Sequence, residues 1–98
     1  LLSPSLQIKR TLKGTWYNFS GVRYLDILAD NTIIAADKYN HQIKIIDPKG
    51  EVSLVIGSGQ AGKGPNLFTT PEGIEVRGDT LWISDSGNDR IVKYKIII

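Results

Sequence analysis

Short apolar runs separated by turn residues fill this chain, and no segment sustains the 3.6-residue apolar period of an amphipathic helix. Turns rich in Gly, Pro, Asn and Asp fall at residues 29–31, 47–50 and 77–79. In the runs that follow the first and third turns, apolar residues fall on both faces, which is typical of strands sandwiched between sheets. The pattern predicts an all-β chain with strands at residues 25–28, 32–36, 42–46, 51–56, 73–76, 80–84 and 90–98.

One polar signature recurs 48 residues further along the chain. Thr32, Asp37, Asn40 and Ile43 are matched by Thr80, Asp85, Asn88 and Ile91, and the apolar positions between them follow the same spacing. Each copy consists of a turn, an apolar strand, a D-x-x-N turn and a second strand. The chain therefore contains an internal repeat, which is the signature of a repeat architecture.

The second copy carries a family resemblance. Residues 67–94, LFTTPEGIEVRGDTLWISDSGNDRIVKY, resemble a full NHL repeat, and residues 31–64 resemble the second half of another with its outer strand and connector. The first copy departs from the family pattern because residues 19–28 lack the Pro-x-Gly found at Pro71 and Gly73. The resemblance implies blades of a β-propeller, most often six-bladed, that serves as a binding platform. A few related propellers are enzymes.

Strand order defines the predicted domain. Residues 7–12 followed by Gly14 look like residues 52–56 followed by Gly57, so we expect an unpartnered outer strand at about residues 6–12. With the four antiparallel strands of a blade named a to d from inner to outer, the chain reads d-abc-d-abc. The prediction is one domain over residues 1–98, with repeat 1 at about 19–57, its outer strand at 51–56, and repeat 2 at about 67–98.

Two blades are expected to be incomplete alone, because a repeat unit cannot bury its apolar faces without neighbours. We expect the bare faces to be lined by residues such as Trp82, Ile34 and Ile83, although Trp82 itself is assigned to the core. Pairing of residues 7–12 with residues 90–97 of a neighbouring chain gives a head-to-tail contact that can close a ring. Two blades from each of three chains complete a six-bladed homotrimer. The alternative is a fragment of a longer single-chain propeller.

Charge and composition restrict the kinds of partner and site that the chain is expected to have. The net charge is only +2, which argues against a dedicated nucleic-acid binder, and there is no cysteine for a disulfide or thiolate metal site. No apolar run is long enough to span a membrane, and no signal peptide is visible. We therefore predict no membrane insertion and leave the compartment open, with an extracytoplasmic bacterial location as one option.

The segment GSGQAGKG at residues 57–64 matches G-x-G-x-x-G and lies one residue from a P-loop. Both motifs need a helix directly after the loop to supply anion-binding amides. Gly64 and Pro65 follow instead, so we interpret the segment as a connector between blades. Its length leaves a ligand-contacting role open.

Asp37, Asn40, Asp85 and Asn88 are predicted to stabilise equivalent turns by accepting backbone N–H bonds. His41, the single histidine, falls in a turn of the repeat, and a threefold metal site would need it near the ring axis. We expect that turn to lie away from the axis, and we predict no catalytic residue, metal or cofactor.

Aromatic and polar residues in the connectors and turns are the candidate binding residues, expected on one face of the disc. They are Trp16, Tyr17, Lys38, Tyr39, His41, Lys63, Asn66, Asp89 and Arg90. Trp16 could equally pack as a lid over the interface between blades.

The leading functional hypothesis is a non-enzymatic scaffold that binds a protein, peptide or other polymer. The alternatives are part of a six-bladed metal-dependent lyase or lactonase, an RNA-binding NHL face, and a designed or excised propeller fragment without a ligand.

Overall fold

Two antiparallel sheets make up the fold in a computed structural model that describes residues 5–97. Residues 1–4 and 98, which belong to the predicted domain and its last strand, lie outside the described residues. The first sheet contains β1 (Val22–Ile27), β2 (Ile33–Asp37), β3 (Gln42–Ile46) and β4 (Val52–Ile56), and the second contains β5 (Gly73–Arg77), β6 (Thr80–Asp85) and β7 (Arg90–Lys95). Within each sheet the strands pair in chain order. The all-β prediction is confirmed.

A single 3-10 turn links the second and third strands of each sheet. The turns are Lys38–Asn40 and Ser86–Asn88, and they end at His41 and Asp89, both left-handed with φ of 55° and 51°. We call the end of the molecule that carries these turns the upper end. No helix within residues 5–97 is long and apolar enough to cross a membrane.

The two sheets pack face to face through one apolar core. Ile34, Ala36 and Ile43 from the first sheet meet Leu81 and Ile83 from the second. Phe68, from the connector between the sheets, is fully buried among them. Burying apolar side chains of this size is the main source of stability available to so small a chain.

The inner strands of the two sheets, β1 and β5, also lie side by side. The Asp26 carboxylate reaches across, and its Oδ2 accepts a hydrogen bond of 2.7 Å from the backbone N–H of Val76. This contact satisfies an amide on the open edge of β5, an edge that pairs with no strand within residues 5–97.

The open faces differ from those expected. Ile34 and Ile83 do not line them, because both side chains point into the core between the sheets. Trp82 points the other way and is 38% exposed, with the Lys93 ammonium 5.1 Å from the centre of its ring. The assignment of Trp82 to the core is therefore wrong for the described chain. Alternation along β6 and β7 places Ile91, 72% exposed, on the open face of the second sheet together with Trp82 and several polar residues.

Residues 5–13 form no strand and pair with no strand of this chain. Leu6 and Ile8 are exposed, and Arg10 donates to the Lys49 carbonyl from a distance of 2.5 Å. The outer strand expected at residues 6–12 therefore needs a partner that the single chain does not supply, and its pairing stays a prediction.

Candidate binding face and its supporting carboxylates

A buried carboxylate organises the upper end of the first sheet. Asp37 is fully buried, and its Oδ1 accepts from the backbone N–H of Ser20 at 2.7 Å. Its Oδ2 accepts from the Asn40 amide at 2.8 Å and from the Lys44 ammonium at 2.5 Å. A buried carboxylate is tolerated when it is paired and hydrogen-bonded in this way.

The second sheet repeats the arrangement with a different cation. Asp85 is also fully buried, and its Oδ1 accepts from the N–H of Thr69 at 2.8 Å. Its Oδ2 accepts from the Asn88 amide at 2.8 Å and from Arg90 Nε at 2.7 Å. Both aspartates thus bond to the connector that leads into their own sheet, more than a dozen residues upstream.

The two asparagines hold the same connectors at a second point. The Asn40 amide also donates to the Asn18 carbonyl, and the Asn88 amide donates to the Gly62 carbonyl. The turn residues were expected to act within their own turns. The structure adds a long-range role, because they tie each connector to the upper end of its sheet.

The glycine-rich segment is held by the same contacts. The Gly62 carbonyl accepts from the Thr69 hydroxyl at 3.0 Å as well as from Asn88, and Gly62 N–H donates to the Phe68 carbonyl. A turn follows Gly64, so the helix that a phosphate-binding loop requires is not formed.

Tyr39 is the exposed aromatic at the upper end of the first sheet, at 53% exposure. Its ring lies against Gly21, where a side chain would collide with it. Arg23 donates to the Tyr39 hydroxyl at 3.2 Å, and the Lys38 ammonium lies 5.5 Å from the ring centre. The hydrogen bond and charge of Arg23, followed by the charge of Lys38, lower the pKa of the Tyr39 phenol.

Two contacts join the upper turn of the first sheet to the start of the second. His41 Nδ1 accepts from the N–H of Thr70 at 2.9 Å, and Lys38 pairs with Glu72 at 2.5 Å. The hydrogen bond and charge of Lys38 lower the pKa of the Glu72 carboxyl. His41 and Lys38 therefore hold the two sheets together, whatever else they bind.

Trp16 and Tyr17 do not share a face with Tyr39. They line a cleft of about 480 Å³ beside the turn at residues 47–51, at the opposite end of the first sheet. Trp16 is 87% exposed, whereas Tyr17 is buried, with its hydroxyl bonded to the Gly50 carbonyl and its ring stacked on Phe19. Trp16 covers no part of the interface between the two described sheets, and a role as a lid toward a neighbouring blade stays a prediction.

The candidates near the second sheet divide into free and engaged side chains. Lys63 and Asp89 are exposed. The side-chain Oδ1 of Asn66 accepts from the Tyr94 hydroxyl, and burial raises the pKa of that hydroxyl. Arg90 is engaged by Asp85 and donates to the Leu67 carbonyl. A ligand role for Arg90 would require it to leave a buried partner.

Sequence reasoning missed Arg23, Lys44 and Glu72. Arg23 and Glu72 occupy equivalent positions, just before the residues of β1 and β5 that pair in regular register with the next strand. An alignment of the two inner strands would have brought out their opposite charges. Lys44 could not be found by comparing the two copies of the repeat, because the equivalent residue of the second copy is the apolar Val92. Within residues 5–97, no three His, Asp or Glu side chains lie close enough to hold a metal ion.

No family model matches the chain. Among curated proteins, the chain is similar to NHL repeat-containing protein 2 of Gallus gallus, with 35% identity over 71 residues. The match covers 60% of this chain but 9% of that protein, so the chain spans a small part of the relative it matches. This similarity supports a relationship to NHL repeats, in agreement with the resemblance of residues 67–94.

Proposed function

We propose that the chain is a piece of an NHL-type β-propeller that acts as a non-enzymatic binding scaffold. In this proposal each sheet is a blade, and further copies of the chain supply the missing blades of a six-bladed homotrimeric ring. A relationship to NHL repeats and two blade-like antiparallel sheets support it.

The observation that carries the proposal is the junction between the sheets. Phe68, just before Thr69, fills that junction, while Phe19, just before Ser20, holds the same place relative to the first sheet. Phe19 lies on the open side of the first sheet and is only half-buried, beneath the Lys44 ammonium at 5.3 Å. A second blade placed there would bury Phe19 as the present one buries Phe68.

The inner strands of the two sheets carry acidic residues at equivalent positions. Asp26 reaches the free edge of β5, and the strand register places Glu75 at the equivalent position of the second sheet, opposite Trp82. Glu75 is exposed and its one ion pair, to Arg77, is an exposed contact at 3.3 Å. A following blade would bring it the edge amide of Ile27, the equivalent of Val76, whose N–H donates to Asp26 Oδ1 at 2.8 Å in the single chain.

Residues 6–13 suit the vacant edge of β7. On an extended strand Leu6, Ile8 and Leu12 fall on one side, which also carries Arg10, and the other side is entirely polar. The second sheet turns an apolar face toward the first sheet, while its open face carries polar residues beside the exposed Trp82 and Ile91. Register in a sheet is set by such matching of faces, so we propose that residues 7–12 of one copy pair with residues 90–97 of the next.

The ligand-binding part of the proposal concerns the upper end. Tyr39 is exposed, held in place by Gly21 and flanked by cations, and Lys63 is exposed on the neighbouring connector. Fixed aromatic rings with cations nearby suit recognition of a protein or peptide. Trp16 belongs to a separate cleft, so its loss would affect a different contact.

Sedimentation equilibrium tests the ring. The expected mass is three times the 10.8 kDa chain. Leu12→Asp should weaken assembly because it places a charge on the apolar side of residues 7–12, whereas Thr11→Asp on the polar side should assemble normally. A folded monomer at every concentration would overturn the ring.

Peptides selected from a random library against the assembled protein test the binding face. Their binding should fall on substitution of Tyr39 or Lys63 by Ala and stay unchanged for Arg77→Ala at the lower end. Binding that depends on Trp16 instead would place the site in the cleft beside the turn at residues 47–51. A library that yields no binder would count against a scaffold role.

A further inference from the structure

The junction between the two sheets carries a charge pair of defined polarity. The upper turn of the first sheet supplies the cation, Lys38, and the segment leading into the second sheet supplies the anion, Glu72, at 2.5 Å. Next to this pair, His41 Nδ1 accepts from the backbone N–H of Thr70 at 2.9 Å. One acceptor and one ion pair therefore join the upper turn to the following sheet.

The outer sides of the chain carry the equivalent positions. The backbone N–H groups of Ser20 and Thr69 donate to equivalent aspartates. The next residues are Gly21 and Thr70. Arg23 and Glu72 follow three residues after Ser20 and Thr69. Arg23 therefore stands where Glu72 stands in the second sheet. Asp89 stands where His41 stands in the first sheet, with the same left-handed backbone.

The charges at these outer positions are reversed. The segment leading into the first sheet carries a cation, and the upper turn of the second sheet carries an anion. Both side chains are exposed, and Asp89 forms no ion pair among the described residues. Arg23 donates to the Tyr39 hydroxyl and has further N–H groups for another acceptor.

We propose that Asp89 of one copy pairs with Arg23 of a second copy and accepts a hydrogen bond from that copy's Gly21 N–H. The inference rests on the ring proposed above and names the contact that orders it. In this contact the Asp89 carboxylate does what His41 and Lys38 do together inside the chain.

Reversal of polarity fixes the order of the sheets around the ring. A first sheet placed after another first sheet would bring Lys38 against Arg23, and a second sheet after another second sheet would bring Asp89 against Glu72. Like charges brought together oppose both arrangements, while the alternating order pairs opposite charges at every junction. The charges therefore disfavour any order around the ring in which two first sheets or two second sheets are neighbours.

Charge exchange tests the pairing. Asp89→Arg and Arg23→Glu should each raise the dissociation constant of the assembly by about tenfold or more, because each brings like charges together. The double variant Asp89→Arg/Arg23→Glu should return it to within about threefold of the starting value. Lys49→Glu and Glu51→Arg are the matched controls, since they make the same kinds of charge change on the turn at residues 47–51 and should leave assembly unchanged.

The outcomes separate this inference from the proposed ring. If the unaltered chain is a monomer at every concentration, the ring and the pairing both fail. If it forms the ring but the single variants assemble as well as the controls, or the double variant does not recover, the ring stands and the pairing is wrong. Thermal unfolding of each dilute variant separates lost assembly from misfolding: Arg23→Glu is expected to unfold close to the parent, and Asp89→Arg somewhat lower because Asp tolerates the left-handed backbone better than Arg, while both remain folded at the assay temperature.

Discussion

Lys44 and Arg90 stand at different positions of the internal repeat, yet each cation meets the equivalent oxygen of its buried aspartate. The Lys44 ammonium lies 2.5 Å from Asp37 Oδ2, and Arg90 Nε lies 2.7 Å from Asp85 Oδ2. Lys44 reaches the carboxylate from the middle of β3, and Arg90 reaches it from the first residue of β7. We infer that the fold requires a cation at each buried carboxylate and accepts it from either position.

Removal of the Lys44 charge tests this requirement. Lys44→Met should destabilise the chain by about 3–5 kcal/mol, because it leaves the Asp37 carboxylate buried without its cation. Gln42→Arg, which places a cation where the second sheet has Arg90, should recover part of the loss. Urea unfolding measures both changes, with the exposed Lys49→Met as the control. Equal stability of Lys44→Met and the parent chain would contradict the required pairing.

The two connector phenylalanines should respond differently to substitution. Phe68→Ala should cost about 3–5 kcal/mol because it opens a cavity in the core between the sheets. Phe19→Ala should cost clearly less in a dilute, monomeric sample, since Phe19 is only half-buried there. The two costs should become more alike at concentrations where copies assemble. Concentration-dependent thermal unfolding measures this, and a Phe19→Ala effect that never changes with concentration would argue against its burial by a neighbouring copy.

His41 should act through its hydrogen-bond acceptor. His41→Ala leaves the N–H of Thr70 without a partner and should cost about 1–3 kcal/mol. His41→Asn keeps a hydrogen-bond acceptor, and Asn tolerates the left-handed backbone at this position, so most of the stability should remain. Amide hydrogen exchange at Thr70 should accelerate in His41→Ala but not in His41→Asn. If both variants exchange alike, the acceptor is not what matters.

Two tyrosines should separate in a pH titration. The pKa of Tyr39 lies below that of an ordinary tyrosine because Arg23 stabilises its phenolate, and burial raises the pKa of Tyr94. Tyr39 should therefore ionise first as the pH rises. Arg23→Gln should move the Tyr39 transition upward and leave that of Tyr94 in place, as followed by NMR of the tyrosine ring carbons in dilute protein. Arg77→Gln is the control, and a Tyr39 transition that ignores Arg23 would refute the assignment.

Much of the fold was predictable because the signals were local. Turn residues and short apolar runs placed the strands to within a few residues, since they act over a handful of neighbours. The faces were harder, because Ile83 and Trp82 are adjacent apolar residues that point to opposite sides of β6. Only strand register decides which of them enters the core.

The candidate site was less predictable because its contacts are distant in the chain. Asp37 and Asp85 have the signature of turn residues, but their bonds to Ser20 and Thr69 appear only when the connector folds back over the sheet. Trp16 and Tyr17 are neighbours in the chain, and composition could not tell which would be buried. Tyr17 is the buried one because its hydroxyl finds the Gly50 carbonyl.

The hydrogen bond between the Gly62 N–H and the Phe68 carbonyl closes residues 63–67 into a small excursion from the connector. The first connector has no such excursion, because Asn18, which occupies the place of Gly62, is followed directly by Phe19. The fold therefore accommodates these two anchor points both directly joined and separated by residues 63–67. Asn66 and Leu67 accept hydrogen bonds from Tyr94 and Arg90, so the part of this excursion that is free to diverge is residues 63–65, where a grafted peptide would leave the contacts to the second sheet in place.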